Sequence, residues 1–454
     1  MNSDDAHDKK KMTPTPDRGK ETTIGIAAKD PVRQMVGDKI REFLDGPTVV
    51  IWGSGATMPL GFPSMGKLLD EFSRVPEFSE IHDIIGCGFE EKLSKLLAKK
   101  GSPDREVYED RACQTIGEIF HKVEQSNQAR FSCGSSESKE YFQAMLALHS
   151  FLEAQPSIAS KKSVDILTTN YDCSWELLFK QNGIRYLDGF SEGQTGVDYT
   201  AFFPKEAESV TRLVKVHGSD NWFRHTTNDP TVEKVGIGEL PSRDAVCMVP
   251  KIIIPSNLKY QGVSTDMTFS NLMLTFGRLI KEAKSYLTIG FGFNDNHLTP
   301  LLKQEALKGK PVVRLMKEVG NGGKVFEEGV PRILTIYDGS AGIDNPSEIL
   351  FQVFKHSFLG ESEKARFSLS RFENHPERNK GIVWLERLFQ EIGEKEYKKA
   401  IDTILQWKHE PEKGKVRMTS VCWRENGKPD SRDVFDDDLW SLPSFVKLLT
   451  DKRI

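Results

Sequence analysis

Four short stretches carry residues able to bind an anion or move a proton, each directly after an apolar run. TVVIWGSGATMPLGFP turns abruptly from β-branched residues into Gly53, Ser54, Gly55, Ala56 and Thr57. DILTTNYD delivers Thr169, Asn170, Tyr171 and Asp172, and RLVKVHGS delivers His217, Gly218 and Ser219. YLTIGFGFND delivers Gly290, Gly292, Asn294 and Asp295. A glycine turn between a strand and a helix start can receive phosphate on backbone N–H groups. An Asn amide donates and accepts without ionising. A histidine, with an ordinary pKa of about 6.5, can take a proton near neutral pH. Structural roles compete for the same residues. Asp172 can cap the helix CSWELLFK, Asp295 can cap the helix after it, and a His beside a Gly can simply close a corner. His225 and His297 are alternative bases, the first in a loop after NWFR and the second in the helix after FND. YDGSAG, after a later strand, could touch the far end of a ligand.

These residues need a scaffold that gathers strand ends. The runs TVVIW, SVDILTT, RLVKV, KIIIP, SYLTIG, PVVRL and RILTIY are continuously apolar, as in strands buried on both faces. They alternate with helical or irregular segments. The expected fold is therefore α/β: a doubly wound, Rossmann-like parallel sheet within residues 31–345. Ligands of such sheets bind outside the carboxyl ends of the strands. Between about residues 65 and 162, KLLDEF, FEEKLSKLLAKK, ACQTIGEIFHKV and YFQAMLALHSFLEA repeat apolar residues at helical spacing, which predicts a helical insertion. Residues 1–30 are polar, with two Thr-Pro pairs, and read as a disordered tail. SEILFQVFKHSFL, GIVWLERLFQEI and EYKKAIDTILQWK predict a helical regulatory or assembly domain over 346–454. Within it, FDDDLW reads as a solvated acidic face.

A net charge of -4 over 454 residues, 28% of them charged, gives no basic surplus for nucleic acid. No run of about 20 apolar residues suits a bilayer, and the first residues lack a secretory pattern. Six scattered cysteines, at 87, 113, 133, 173, 247 and 422, form no C-x-x-C pair. We therefore expect a cytoplasmic protein with no membrane contact, no direct nucleic-acid binding and no metal.

The loop GSGAT, three residues and then GFP resembles the sirtuin pattern Gly-x-Gly-x-Ser, three residues, Gly-x-Pro. TTNYD resembles the sirtuin Thr-x-Asn-x-Asp element and VHGS its His-Gly motif, in the same order, over about Val49 to Gly342. Two departures bear on activity. Sirtuin deacylases follow Gly-x-Pro with an acidic residue, Phe and Arg, where this chain has Ser64, Met65 and Gly66. They also carry two cysteine pairs on a small zinc module after His-Gly, and this chain has none. The insertion, GFGFND and the C-terminal extension are similar to bacterial sirtuin-like proteins of antiphage defence that hydrolyse NAD.

The resemblance implies NAD as substrate and a glycohydrolase giving ADP-ribose and nicotinamide. It implies Asn170 and His217 as catalytic residues, Asn170 at the nicotinamide ribose and its water, His217 as a base acting through a ribose hydroxyl. Asp172 would bind the carboxamide. Gly53, Ser54, Gly55, Ala56 and Thr57 would hold the pyrophosphate, and Gly290, Gly292, Asn294 and Asp295 the other half of the dinucleotide. An NAD-dependent deacylase, an ADP-ribosyltransferase and a non-catalytic NAD- or ADP-ribose-sensing module are the alternatives. The resembling systems imply a homo-oligomer and an activator such as a HerA-type ATPase or a phage protein.

Overall fold

In a computed structural model, residues 31–338 and 418–450 are described, apart from 87, 102–103, 134–135, 156–161, 192–195, 205–208, 227–230, 242–247, 256–265, 426–427 and 436–440. The expected tail, the three helices expected within 346–413 and FDDDLW beyond Phe435 lie outside the described residues.

The chain enters through α1 (Pro31–Phe43), whose Val36, Ile40 and Phe43 are fully buried, and turns at Gly46 into β1 (Thr48–Trp52). All five residues of β1 are buried, as its apolar run requires. The expected helical insertion follows as α2 (Met65–Ser73), α3 (Phe89–Lys99), α4 (Asp104–Cys133) and α5 (Ser136–Glu153). Next come β2 (Lys162–Thr168), α6 (Ser174–Asn182), β3 (Tyr186–Leu187) and β4 (Ser209–Lys215). A small antiparallel sheet, ordered β6-β5-β7, is built from β5 (Gly218–His225), β6 (Val232–Lys234) and β7 (Met248–Ile252). The second half runs α7 (Met267–Glu282), β8 (Ser285–Ile289), α8 (Leu298–Leu307), β9 (Val312–Met316), α9 (Asn321–Glu327) and β10 (Arg332–Asp338).

β1 lies between β2 and β8 and is parallel to both, with Val50 opposite Ile166 on one side and Leu287 on the other. The chain builds outward from β1 to β2, β4 and β3, then returns across it to β8, β9 and β10. The connections therefore diverge at β1, opening a crevice at the carboxyl ends of β1, β2 and β8. Alternate strand residues enter two cores. Val50 and Trp52 pack with α1 to α6, whereas Val49 and Ile51 pack with α7, α8 and α9. This is the expected doubly wound α/β sheet.

The C-terminal segment differs from the expectation of helices alone. β11 (Met418–Glu425) and β12 (Lys428–Phe435) extend the main sheet as an antiparallel pair beyond β10, with Ile336 opposite Val421. α10 (Leu442–Thr450) buries Phe445, Val446 and Leu448 in the same core as α1 and α5. Arg41 Nη1 donates to the Leu448 carbonyl at 3.1 Å. The described part of this segment is thus an edge of the main sheet. The sequence holds a signal in Asn426-Gly427, since an Asn-Gly pair between two runs favours a two-residue hairpin.

Candidate active site

The loops after β1, β2, β4 and β8 meet at one cleft of about 220 Å³. Gly53, Ser54, Thr57, Asn170, Asp172, His217, Gly292, Asn294 and Asp295 line it, and Phe62, Phe120 and Phe291 supply apolar wall. All four strand-end motifs contribute to that lining, and Glu90 of α3 adds a carboxylate from the insertion. His225 and His297 do not line it. His225 ends β5 and His297 is half outside α8, at its first turn.

Asn170 is held by the glycine loop. Its Nδ2 donates to the Gly53 carbonyl at 3.0 Å and to Thr57 Oγ1 at 3.1 Å. A carbonyl only accepts, so the amide nitrogen must be the atom facing Gly53. Its Oδ1 is buried with no hydrogen-bond partner among the described residues. Asp172 divides its two oxygens in the same way. Oδ1 accepts the Ser174 N–H at 3.1 Å and starts α6, while Oδ2 is buried without a partner. Burying an unpaired acceptor costs about 1–3 kcal/mol. Both residues line the cleft, beside which these two acceptors are left without a partner.

His217 follows β4, and its carbonyl accepts the Ile253 N–H at 2.8 Å. Gly218 makes that corner possible: its φ is +83°, and a Cβ there would stand 2.0 Å from the Lys251 carbonyl oxygen. The His-Gly pair therefore has a steric cause. His217 Nε2 lies 3.1 Å from Asp295 Oδ2, and both residues are buried.

The geometry corrects the reading of the glycine loop as a phosphate cradle. The N–H groups of Gly53, Gly55, Ala56 and Thr57 all donate to backbone carbonyls, those of Gly53 and Gly55 to Ile289 and Gly290. Gly55, Ala56 and Gly290 do not line the cleft. A Cβ on Gly53 would stand 2.5 Å from the Gly290 oxygen, and one on Gly290, whose φ is +61°, 2.2 Å from the Ala56 nitrogen. These glycines let two loops touch. Gly53, Ser54 and Thr57 are the members of the motif that line the cleft, and Thr57 also holds Asn170. Gly292 and Asn294 line the cleft and are exposed.

Several supporting residues escaped the sequence reading. From the insertion, Tyr141 on α5 donates to the Ala56 carbonyl, and Phe120 on α4 meets Tyr171 edge-on at 5.6 Å. Glu124 on α4 accepts the Cys173 N–H at 2.5 Å. Behind the loop, Lys215 Nζ is 1% exposed; it donates to the Tyr171 and Asp172 carbonyls at 3.1 and 2.6 Å and pairs with Glu176 at 2.9 Å. Burial alone would pull the Lys215 pKa down. The surrounding Cys173, Glu176, Asp220 and Asp172 outweigh it and hold the pKa well above the lysine range. Burial pushes the Glu124 carboxyl well up, reinforced by Asp220, and lifts Asp220 itself to about 6. Burial also raises the Cys173 thiol, which suits a packing role.

Glu124, Cys173 and Asp220 stand close enough to one another to ligate a metal. Their separation in sequence hid this from any spacing rule. The Lys215 ammonium already neutralises the same cluster, with Cys173 Sγ at 3.8 Å.

The model of the SIR2-like domain matches residues 164–313, about a third of the chain. The match spans β2 to β9 and includes Asn170, Asp172, His217 and Asp295; the glycine loop precedes it. No curated protein matches the sequence. Among solved structures, the chain is similar to a Sir2 homologue–NAD complex at 14% identity and a TM-score of 0.35, covering 65% of this chain and 92% of that one. It is also similar to a Sir2 homologue variant bound to ADP-ribose, at 14% identity and a TM-score of 0.30, covering 64% and 94%. A structure described under the mechanism and regulation of Sir2 enzymes is 11% identical with a TM-score of 0.32, covering 66% and 96%. Among the described residues, no helix is long and apolar enough to cross a membrane.

Proposed function

We propose that the protein hydrolyses NAD to ADP-ribose and nicotinamide. The observation that carries the reading is that Asn170 and Asp172, each with an unpartnered acceptor, line one cleft with His217. NAD offers donors of the matching kinds: a carboxamide NH2 for Asp172 and ribose hydroxyls or a water for Asn170. The SIR2-like domain match and the sirtuin-like order of the motifs support NAD as the ligand.

In the reaction the bond between C1′ of the ribose and the pyridinium nitrogen breaks, and its electron pair neutralises the departing nicotinamide. No acid is needed for a leaving group that is already cationic. C1′ passes through an oxocarbenium-like state and takes the water oxygen. The proton released goes to His217 through a ribose hydroxyl. Asn170, held rigidly by Gly53 and Thr57, spends its Oδ1 on orienting hydroxyl or water, a contribution of position. Ser54, Thr57, Gly292 and Asn294 would hold the remainder of the dinucleotide.

Hydrolysis is favoured over acyl transfer because the sequence after Gly61 and Pro63 departs from the deacylase pattern and no cysteine pairs follow His217. The biological setting that the resemblance supports is an NAD-depleting effector of antiphage defence, acting as an oligomer under an activating protein. Chromatography of NAD incubated with the full-length chain, with and without candidate activators, tests the chemistry. Nicotinamide and ADP-ribose released without any acceptor are expected. Turnover only with an acyl-lysine peptide or a protein acceptor would make it a deacylase or transferase, and binding without turnover a sensor.

A further inference from the structure

Asp295 sits where the sequence reading put a ribose contact or a helix cap, and the structure gives its two oxygens separate partners. Oδ1 accepts the N–H groups of His297 and Leu298, both at 2.9 Å, and starts α8. Oδ2 faces His217 Nε2 at 3.1 Å. The loop that carries Asp295 is strained: Phe293, with φ +58°, is the one non-glycine residue in the left-handed region among the described residues. For a bulky L-residue that conformation costs roughly 1–2 kcal/mol. It is offset by the Phe293 ring, which packs against Phe291 at 5.0 Å and Phe326 at 4.3 Å. A plain helix cap requires no such strain, and held strain of this kind clusters at functional sites.

We propose that Asp295 is a positioning residue that sets the tautomer of His217. An ionised carboxylate only accepts, so its contact with the ring requires the proton on Nε2. Nδ1 is then the basic nitrogen of the neutral ring, the atom that takes the proton in NAD cleavage. The inference rests on the reading of His217 as that base, yet its structural half can be measured without NAD.

The variant Asp295→Asn separates the two jobs of the carboxylate. The His297 and Leu298 N–H groups keep the amide oxygen in the Oδ1 position, so the cap survives. The amide NH2 then faces Nε2, which must accept, and the proton moves to Nδ1. Ring 15N–1H correlations on histidine-labelled full-length protein, followed to the alkaline pH beyond which the ring signals stop changing, read this directly, with His217→Gln assigning the signal. The wild-type ring is expected with Nε2 protonated and the variant with Nδ1 protonated. NAD turnover of the variant should fall about 10²–10⁴-fold, with NAD affinity little changed. A wild-type ring protonated on Nδ1 overturns the proposal even if the variant fails to fold. So does an unchanged tautomer in Asp295→Asn, or a switched tautomer with full turnover. If the tautomer switches and neither protein cleaves NAD, the positioning stands and the NAD hydrolase reading is the one that fails.

Discussion

The loop from Thr169 to Cys173 has two polar faces built from similar groups with opposite consequences. On the cleft side, Asn170 Oδ1 and Asp172 Oδ2 are acceptors without a hydrogen-bond donor. On the other side, Glu124, Glu176 and Asp220 crowd the buried ammonium of Lys215, which also donates to two carbonyls of the loop. Strand β4 serves both, sending Lys215 behind the loop and His217 into the cleft. The cluster around Lys215 is structural, and it holds still the loop that presents Asn170 and Asp172 to the cleft.

The largest expected effect breaks the cleft side alone. Asn170→Ala and His217→Ala should each lower single-turnover NAD cleavage by about 10²–10⁴-fold, with calorimetric NAD affinity near that of the parent. The double variant should be little worse, since groups acting as a unit are not additive. Near-normal turnover in His217→Ala would assign that histidine to structure.

Breaking the other side should read out as stability. Lys215→Met leaves buried carboxylates without their cation, and removing one partner of a buried pair costs about 3–5 kcal/mol. Urea unfolding measures this. A loss below about 1 kcal/mol would mean that the cluster is held by protons alone.

Asp172 spans both faces, so its conservative variant sharpens the boundary. In Asp172→Asn the oxygen toward Ser174 is kept and the cleft oxygen becomes a donor. The start of α6 should survive while turnover falls on the order of ten- to a hundredfold, the worth of one hydrogen bond to a charged group. If Asp172 is only a helix cap, activity and melting temperature will both match the parent.

The smallest effect concerns pH. Asp220, raised by burial from 3.8 to about 6, binds its proton more tightly folded than unfolded. Its stabilisation is complete below about pH 4 and fades as pH rises through about 6. Asp220→Asn cannot lose a proton, so its stability relative to the parent should improve across that window. Denaturation midpoints at several pH values would expose a flat difference, the outcome that removes Asp220 from the account.

Much of this protein was legible along the chain because its information is local. Continuous β-branched runs such as Thr48–Trp52 require burial on both faces, and a parallel sheet is the arrangement that supplies it. Strands then present their carboxyl ends to one rim, so Asn170, Asp172, His217 and Asp295 could be nominated together from the residues that follow each run. The hairpin of β11 and β12 was also written there, in Asn426-Gly427, but amphipathic runs upstream led to an expectation of helix throughout. What no local pattern could decide is which atoms of those residues meet. The order of strands about β1 brings Gly53 against Gly290, which turns a presumed phosphate cradle into a steric contact between loops. The same order sets Asp295 on His217, and the path of α4 sets Glu124 under Cys173. Periodicity encodes which face of an element is buried. Partnership across 78 positions, as between residues 217 and 295, depends on the path of the loops in space, and only the tertiary structure holds that.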